Sequence, residues 1–398
     1  MDGCKFFGAF RACSGIKDAV VLSHCPAGCN WGAMILKNTS NQSDIRQACT
    51  VMHEREIVFG GEEALREALV RADKLYNTPL LAVIAGCAPT VIGDDIEAVV
   101  NSVELNKEVV WMDAAGFKDN MGKGYEEALV HLARLMKECE TVEKSVNLIG
   151  FCPDDFKVDA DLKEIKRLLN HAGIKVNCVI SKCSFHEFVN APAAELNVVM
   201  GQGTELAEHM KREFGVPYLA VGYPYGLEGT TDFINAICEH LHIEAKEKEL
   251  DFELESFKRI YLYLHELYGT PVSVIGDFHA ESMANFLDRE LGFDIEVLNS
   301  NEDDYYTFEQ NVRASNTTIL FGSSFERNIA VELRIPLVRF TYPVFDHVCV
   351  YDDAPFAGFR GAVCLTETIL NAVMGFGTKE INTYVKSVLS IILFLCHI

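Results

Sequence analysis

The chain alternates between short apolar runs and longer amphipathic stretches. Apolar runs of strand length lie at 18–23, 80–85, 107–112, 146–151, 175–180, 196–201, 217–222, 272–276, 294–298, 317–321 and 337–341. Between many of them apolar residues recur with a helical period, most clearly at 62–75, 125–139, 161–172, 205–214, 231–242 and 280–291. Strands that alternate with helices through short links favour parallel sheets covered on both faces. The pattern therefore predicts an α/β fold.

Two stretches divide this pattern into three blocks. A charged stretch at 139–144 precedes one apolar run, and a long helical region at 243–268 ends at Gly269-Thr270-Pro271 before another. A chain of 398 residues also exceeds the roughly 250–300 residues that one core can serve. We predict three domains, at 1–143, 144–268 and 269–398. The second and third open with similar words, Val146-Asn-Leu-Ile-Gly-Phe and Pro271-Val-Ser-Val-Ile-Gly-Asp, which indicates repeated use of one α/β unit.

Composition excludes some classes of partner. The net charge is −23 and no basic stripe is present, so nucleic acid is not an expected partner. An acidic surface serves solubility, and docking of a basic partner is the alternative. The apolar tail at 388–398 is shorter than the roughly 20 residues that a membrane-spanning helix needs. We therefore expect no membrane association.

The fourteen cysteines do not fit a secreted disulfide protein, because that class is small and rich in loops. Residues 1–20 lack the basic segment and apolar run of a signal peptide. We expect a cytoplasmic protein with reduced thiols, in which groups of cysteines favour metal binding.

Three of these cysteines, Cys4, Cys29 and Cys87, lie in or beside glycine turns in the first block. A thiolate on a turn just past a strand points into the crevice at the carboxyl end of a sheet, where ligands bind. Thiolates are the usual ligands of iron–sulfur clusters. Compact ferredoxin spacing is absent, so spacing alone leaves open that these are ordinary buried cysteines. Their settings are Gly3-Cys4-Lys-Phe-Phe-Gly8, His24-Cys25-Pro-Ala-Gly28-Cys29-Asn-Trp-Gly32 and Ala85-Gly86-Cys87-Ala-Pro-Thr.

These words, in this order and pacing, resemble component 1 of nitrogenase and its relatives. The relatives include dinitrogenase subunits, cofactor-assembly scaffold proteins and dark-operative protochlorophyllide reductases. The resemblance extends from Cys4 to about Met374. It is also carried by Glu56-Ile-Val-Phe-Gly-Gly61, Ile92-Gly-Asp-Asp95, Glu213-Phe-Gly-Val-Pro-Tyr218, Gly226-Leu-Glu-Gly-Thr-Thr-Asp-Phe233, Ile335-Pro-Leu-Val-Arg-Phe-Thr-Tyr-Pro-Val-Phe-Asp346 and Gly358-Phe-Arg-Gly361.

The resemblance implies three Rossmann-like domains and a cluster site at the interface between the first domain and a neighbouring subunit. It implies that Cys4, Cys29 and Cys87 hold an iron–sulfur cluster, of the 4Fe–4S or P-cluster-like type. Three thiolates leave a four-iron cluster one ligand short, so a partner chain, an aspartate or another local cysteine completes it. Cys25 and Cys49 are the secondary candidates, with core packing as their alternative role.

Three further residues are candidates for contact with the cluster. Gly28 and Gly86 match glycines that let the backbone approach it closely. His24 has two open roles, a hydrogen bond to a cluster sulfur or a structural hydrogen bond. Asp94 and Asp95 are predicted to cap and open the helix that follows them.

The resemblance also implies a function. It indicates an oxidoreductase subunit that takes electrons from a separate ATP-dependent iron–sulfur reductase and passes them to a bound substrate or cofactor. The alternative is a scaffold protein for assembly of a nitrogenase-type metal cofactor. The expected partners are that reductase and either a homologous α-type subunit or a second copy of the chain.

Two stretches depart from the dinitrogenase α-subunit pattern. Residues 199–203 contain no cysteine and residues 339–342 contain no histidine, so the α-type active-site cofactor should be absent. The chain is therefore predicted to be β-type or a short nitrogenase-like member. Two minor sites stay open: an anion cradle or a plain turn at 201–204, and a pocket or core packing at Cys183 and His186.

Overall fold

The computed structural model describes residues 3–37, 46–244, 251–264, 267–300, 304–349 and 351–395. It contains three four-stranded sheets, and every strand pair in them is parallel. The first has the order β2-β1-β3-β4, the second β6-β5-β7-β8 and the third β10-β9-β11-β12. The strands are β1 (Ala19–His24), β2 (Arg46–Cys49), β3 (Leu80–Ala85), β4 (Glu108–Asp113), β5 (Val142–Ile149), β6 (Lys175–Val179), β7 (Ala194–Met200), β8 (Tyr218–Val221), β9 (Pro271–Gly276), β10 (Asp294–Ser300), β11 (Ile319–Gly322) and β12 (Leu337–Arg339).

Helices connect the strands and cover the sheets. They are α1 (Lys5–Ser14), α2 (Ala27–Lys37), α3 (Glu54–Phe59), α4 (Glu62–Leu75), α5 (Cys87–Ile92), α6 (Ile96–Ser102), α7 (Met121–Ala133), α8 (Val158–His171), α9 (Phe185–Val189), α10 (Thr204–Phe214), α11 (Gly226–His240), α12 (Asp251–Leu264), α13 (Ala280–Asn285), α14 (Tyr305–Ala314), α15 (Arg327–Leu333) and α16 (Gly358–Leu395). A 3₁₀ turn at Ala191–Ala193 precedes β7, and a π turn at Phe286–Glu290 continues α13.

The predicted α/β fold with parallel sheets is confirmed, and the same strand order occurs in all three sheets. The pattern missed β2, which lies at the edge of the first sheet and is only half-buried. An edge strand lacks the continuous apolar run of a central strand. The second sheet begins at Val142, two residues before the predicted boundary at 143/144.

Helix α1 opens the first unit, and the pattern missed it because nearly all of its residues are buried. Apolar periodicity requires an exposed face, and α1 has almost none. It packs closely on α7, and two glycines allow the approach. A β-carbon on Gly8 would lie 1.8 Å from the Met121 carbonyl oxygen, and one on Gly124 would lie 2.0 Å from the Lys5 carbonyl oxygen. The two helices therefore meet backbone to backbone.

We expect Gly124→Ala to lower the free energy of unfolding by about 3 kcal/mol, because the added methyl group forces α1 and α7 apart. Gly122→Ala in the same helix is the matched control. A β-carbon there meets only the Asn120 side-chain oxygen, at 3.6 Å. Alanine at this position should raise stability by about 0.5 kcal/mol through helix propensity. Urea unfolding followed by circular dichroism separates the two, and equal effects would contradict the close packing.

No helix among the described residues is both long enough and apolar enough to cross a membrane.

Candidate metal centre

The carboxyl edge of the first sheet gathers cysteines from three adjacent strands. Cys25 directly follows β1, Cys49 is the last residue of β2, and Cys87 begins α5 just after β3. The parallel register places Ser23 beside Cys49 and His24 beside Ala85. Since the carboxyl ends of parallel strands meet at one edge, the three thiols share one crevice.

Cys4 and Cys87 come together around Gly116, in the loop after β4. The Gly116 N–H donates to the Cys87 Sγ over 3.1 Å. A β-carbon on Gly116 would lie 3.0 Å from the Cys4 Sγ and 3.5 Å from the Cys87 Sγ. Glycine is therefore required at this position to seat both sulfurs. Sequence reasoning missed Gly116, although its place just after a strand, in Asp113-Ala-Ala-Gly116, is the signal that could have found it.

Cys29 lies in a second group of thiols, with Cys25 and Cys49. The Cys25 and Cys49 Sγ atoms are 4.0 Å apart, and the Cys25 side chain is also hydrogen-bonded to Cys29. This hydrogen bond lowers the pKa of the Cys29 thiol to about 6. The same neighbour lowers the pKa of Cys49, while the hydrogen bonds to both neighbours and burial raise that of Cys25. Cys29 is thus a thiolate at neutral pH, the form that binds metal.

The two predicted glycines differ in their surroundings. A β-carbon on Gly86 would lie 3.0 Å from the Cys25 β-carbon, so glycine lets this turn pack against the thiol group. Gly28 lies in the first turn of α2, and a β-carbon there would meet no protein atom within 4 Å. Its role toward a cluster stays a prediction.

Of the two roles left open for His24, the structure contains the structural hydrogen bonds. Its Nδ1 accepts from the Thr50 hydroxyl over 3.1 Å, and its Nε2 donates to the Asp94 carboxylate over 3.1 Å. Burial lowers the pKa of His24, which Asp94 partly opposes. A neutral imidazole has one donor and one acceptor nitrogen, and both are engaged here by partners other than sulfur.

The two aspartates after Cys87 have different roles, which corrects the capping prediction for one of them. Asp95 is the N-cap of α6 and accepts from the Ala98 N–H over 2.9 Å, as predicted. Asp94 is not a cap of that helix. Its carboxylate binds His24 and accepts from the Gly61 N–H over 2.9 Å. The spacing of adjacent acidic residues cannot reveal which of them points inward.

We expect Asp94→Ala to lower the free energy of unfolding by about 2–4 kcal/mol, because it leaves the buried His24 Nε2 and the Gly61 N–H unpaired. Asp95→Ala removes only an exposed N-cap and should cost about 1 kcal/mol. Chemical unfolding of both variants makes the comparison. A cost for Asp94→Ala no larger than that for Asp95→Ala would contradict the clamp.

Comparison with known proteins decides the family. The family model for nitrogenase component 1 type oxidoreductases matches residues 4–306 and 297–374. The chain belongs to this family. One of the subunits of the light-independent protochlorophyllide reductase of Zygnema circumcarinatum is 25% identical over 96% of this chain and 86% of its own length. The nitrogenase iron-molybdenum cofactor biosynthesis protein NifE of Clostridium pasteurianum is 29% identical over 80% of this chain and 72% of its own length.

A solved structure shares the fold. The chain described as nitrogenase Cp1 at pH 6.5 aligns with a TM-score of 0.81 and 20% identity, covering 94% of this chain and 92% of that one. The predicted membership of the nitrogenase component 1 family and the predicted architecture are therefore confirmed.

The junction of the three α/β units in this family member is packed around a buried arginine. Arg11 on α1 donates from Nε to Asp154 over 2.8 Å and from an Nη atom to Asp155 over 2.6 Å. Its guanidinium also lies 3.7 Å from the centre of the Tyr342 ring. The carboxylates follow β5 and the ring follows β12, so one side chain ties together all three units. Burial raises the pKa of Asp155 to about 7, which Arg11 opposes.

Cys152, Asp154 and Asp155 are close enough together to hold a metal ion. The Arg11 guanidinium already contacts both carboxylates, so this group has a cation of its own. Sequence reasoning missed the cluster, because Arg11 and Asp154 are 143 residues apart.

The stretch at 199–203, which departs from the dinitrogenase α-subunit pattern, is closely packed. A β-carbon on Gly201 would lie 2.2 Å from the Phe278 β-carbon, so the units after β7 and β9 touch here. The anion cradle considered at 201–204 is filled from within the chain. The N–H groups of Gly203, Thr204 and Glu205 donate to the Glu126 carboxylate over 2.6, 3.2 and 3.1 Å.

Cys183 and His186 do not form a pocket site. Cys183 is buried in the apolar core, and its thiol is hydrogen-bonded to Cys178. The His186 ring lies on α9 beside the Asn190 side chain. Both residues are far along the chain from the cysteine crevice, and the core-packing alternative describes Cys183.

Large apolar side chains are exposed next to the cysteine crevice. Phe59 and Val58 are 84% and 71% exposed at the end of α3, a helix that contacts α5. Trp31 follows Cys29 by two residues, and Val91 and Phe117 follow Cys87 and Gly116 closely; all three are more than half exposed. Exposed apolar groups gathered in this way mark an interaction surface.

Proposed function

We propose that this chain is the cluster-holding subunit of a nitrogenase-like, two-component reductive oxidoreductase. Cys4, Cys29 and Cys87 would hold an iron–sulfur cluster, which supplies one-electron transfer when bound. The electrons would come from an ATP-dependent iron–sulfur reductase and go to a bound substrate. The observation that carries the proposal is the gathering of half-exposed thiols at one sheet edge of a nitrogenase component 1 family member.

The donor set fits such a cluster. Thiolates are the preferred protein ligands of iron–sulfur clusters, and hydrogen bonds to the sulfurs tune the potential. Cys29 has a pKa of about 6, and the Cys87 sulfur already accepts a backbone N–H. Gly116 leaves space between Cys4 and Cys87 that any larger residue would fill.

The exposed apolar side chains beside the crevice support a subunit partner there. Trp31, Val58, Phe59, Val91 and Phe117 together form a surface that a second polypeptide can cover. We propose that this partner is a homologous α-type subunit or a second copy of the chain. Burial under a partner would also keep water away from the thiols.

The packing at the junction of the three units favours an electron-transfer subunit over an assembly scaffold. The cavity beside Arg11, lined by Phe7, Phe10, Asp154 and Tyr342, holds only about 10 Å³. A large metal cofactor would not fit there without separating the units. A cavity of about 300 Å³ between α11 and α13 is within the range of small-molecule sites, and we propose it as a place for a substrate.

The test uses anaerobically purified full-length protein, an iron-protein-type reductase and ATP. The visible absorbance of the cluster should bleach only when reductase and ATP are both present, and should bleach again after each reoxidation, with the iron retained. Transfer of the iron to a cofactor-free nitrogenase component, without repeated reduction, would instead support the scaffold function. Absence of both would overturn the proposal.

A further inference from the structure

The predicted ligand set is one thiolate short of a four-iron cluster, and Cys49 lies where the missing ligand is needed. It ends β2, and the register pairs it with Ser23 of β1. Cys25 and Cys29 follow β1, and Cys87 follows β3. Because the strands are parallel and adjacent, Cys49 opens onto the same sheet edge as the predicted ligands.

Contacts between thiols connect Cys49 to this ligand set. The Cys49 Sγ lies 4.0 Å from the Cys25 Sγ. The Cys25 thiol is hydrogen-bonded on its other side to Cys29. Cys25 therefore holds Cys29 and Cys49 on either side of itself.

The sulfur of Cys49 is surrounded like that of a ligand. The Val51 N–H donates to it over 3.3 Å, just as the Gly116 N–H donates to Cys87 over 3.1 Å. Val51 adopts φ 52°, a conformation that β-branched residues strongly disfavour. Strain of this kind persists only where the surrounding structure enforces it. Here the neighbouring N–H groups of Thr50 and Met52 bind the carbonyl groups of Ser23 and Cys25.

Exposure separates Cys49 from Cys25. Cys49 is half-buried, as are Cys4, Cys29 and Cys87, whereas Cys25 is fully buried. Cys25 is also engaged by a thiol on each side. A ligand must present its sulfur to the crevice, and Cys49 satisfies this requirement.

We propose that Cys49 is the fourth cluster ligand, so that Cys4, Cys29, Cys49 and Cys87 form a complete thiolate set within one chain. Cys25 is then a positioning residue between two ligands. This inference rests on the proposed function. Its consequence is that no residue of a partner subunit is needed to hold the cluster, since four thiolates complete a four-iron cluster.

The test compares full-length wild type with Cys49→Ala, Cys25→Ala and Cys139→Ala, all purified anaerobically. Cys139 is a half-buried cysteine whose thiol contacts Lys137 and Asn190 instead of the crevice. Iron and sulfide per chain and electron paramagnetic resonance are measured. Cys49→Ala should lose about a quarter of the iron, from about four ions to about three, and its oxidised form should gain a three-iron signal. The other two variants should keep the full iron content.

Unchanged iron and spectra in Cys49→Ala would overturn the inference while leaving the proposed function intact. Loss of iron from Cys25→Ala but not from Cys49→Ala would also overturn it. An iron-free wild type would overturn both. If Cys49→Ala fails to fold, alkylation of the wild type decides: Cys49 should react after iron removal and be protected before it, while Cys139 reacts equally in both states. Equal labelling of Cys49 in the two states would overturn the inference.

Discussion

Cys29→Ser is expected to lower the bound iron at least about tenfold while the protein remains folded. Cys29 has the most acidic thiol for which the structure gives a value, with a pKa of about 6, and a serine hydroxyl stays protonated at neutral pH. Changes that only touch the partners of metal ligands already cost roughly 10–100-fold in affinity, so loss of a ligand should cost at least as much. Iron analysis of the anaerobically purified variant measures the effect.

The control for this variant is Cys139→Ser, a change of the same chemistry at a half-buried thiol outside the crevice. It should keep the wild-type iron content. Circular dichroism and the unfolding midpoint of both variants show whether the fold is retained. Wild-type iron content in Cys29→Ser would remove Cys29 from the ligand set.

Arg11→Ala is expected to lower the free energy of unfolding by about 3–5 kcal/mol. Breaking a buried ion pair from one side leaves uncompensated buried charge, and here both Asp154 and Asp155 would lose their guanidinium partner. The stacking of Arg11 on Tyr342 would be lost as well. Because these partners belong to different α/β units, the loss should also loosen the junction between units. Urea unfolding of the wild type and the variant measures the cost.

The matched control for Arg11 removes the charges on both sides. A triple variant, Arg11→Met with Asp154→Asn and Asp155→Asn, leaves no buried charge in the pair and should recover much of the lost stability. A cost below about 1 kcal/mol for Arg11→Ala, the range of an exposed ion pair, would contradict the structural role of this residue.

Local patterns predicted the parts of the fold that depend on local sequence. Central strands such as β1 and β3 are continuous apolar runs, and the glycine words around Cys4, Cys29 and Cys87 indicated the crevice. The edge strand β2 carries no such run, and this strand places Cys49 in the group. Its location could not be predicted without the pairing of the strands.

Long-range partners account for the rest of what the sequence did not reveal. The contact of Arg11 with Asp154 and Asp155 depends on how separate units pack, and no spacing encodes it. The same holds for Asp94, whose side chain turns toward His24 while the adjacent Asp95 caps a helix. Glu126 fills the turn at 203–205, which a sequence motif alone presents as a free anion site.

Iron and acid-labile sulfide analysis of the anaerobically purified wild type, with electron paramagnetic resonance of the dithionite-reduced protein, tests the central claim most directly. The account predicts about four iron ions and four sulfides per chain and a signal from a reduced cluster that is absent from the iron-free protein. A colourless protein that is folded, has intact thiols and takes up no iron or sulfide on reconstitution would contradict it.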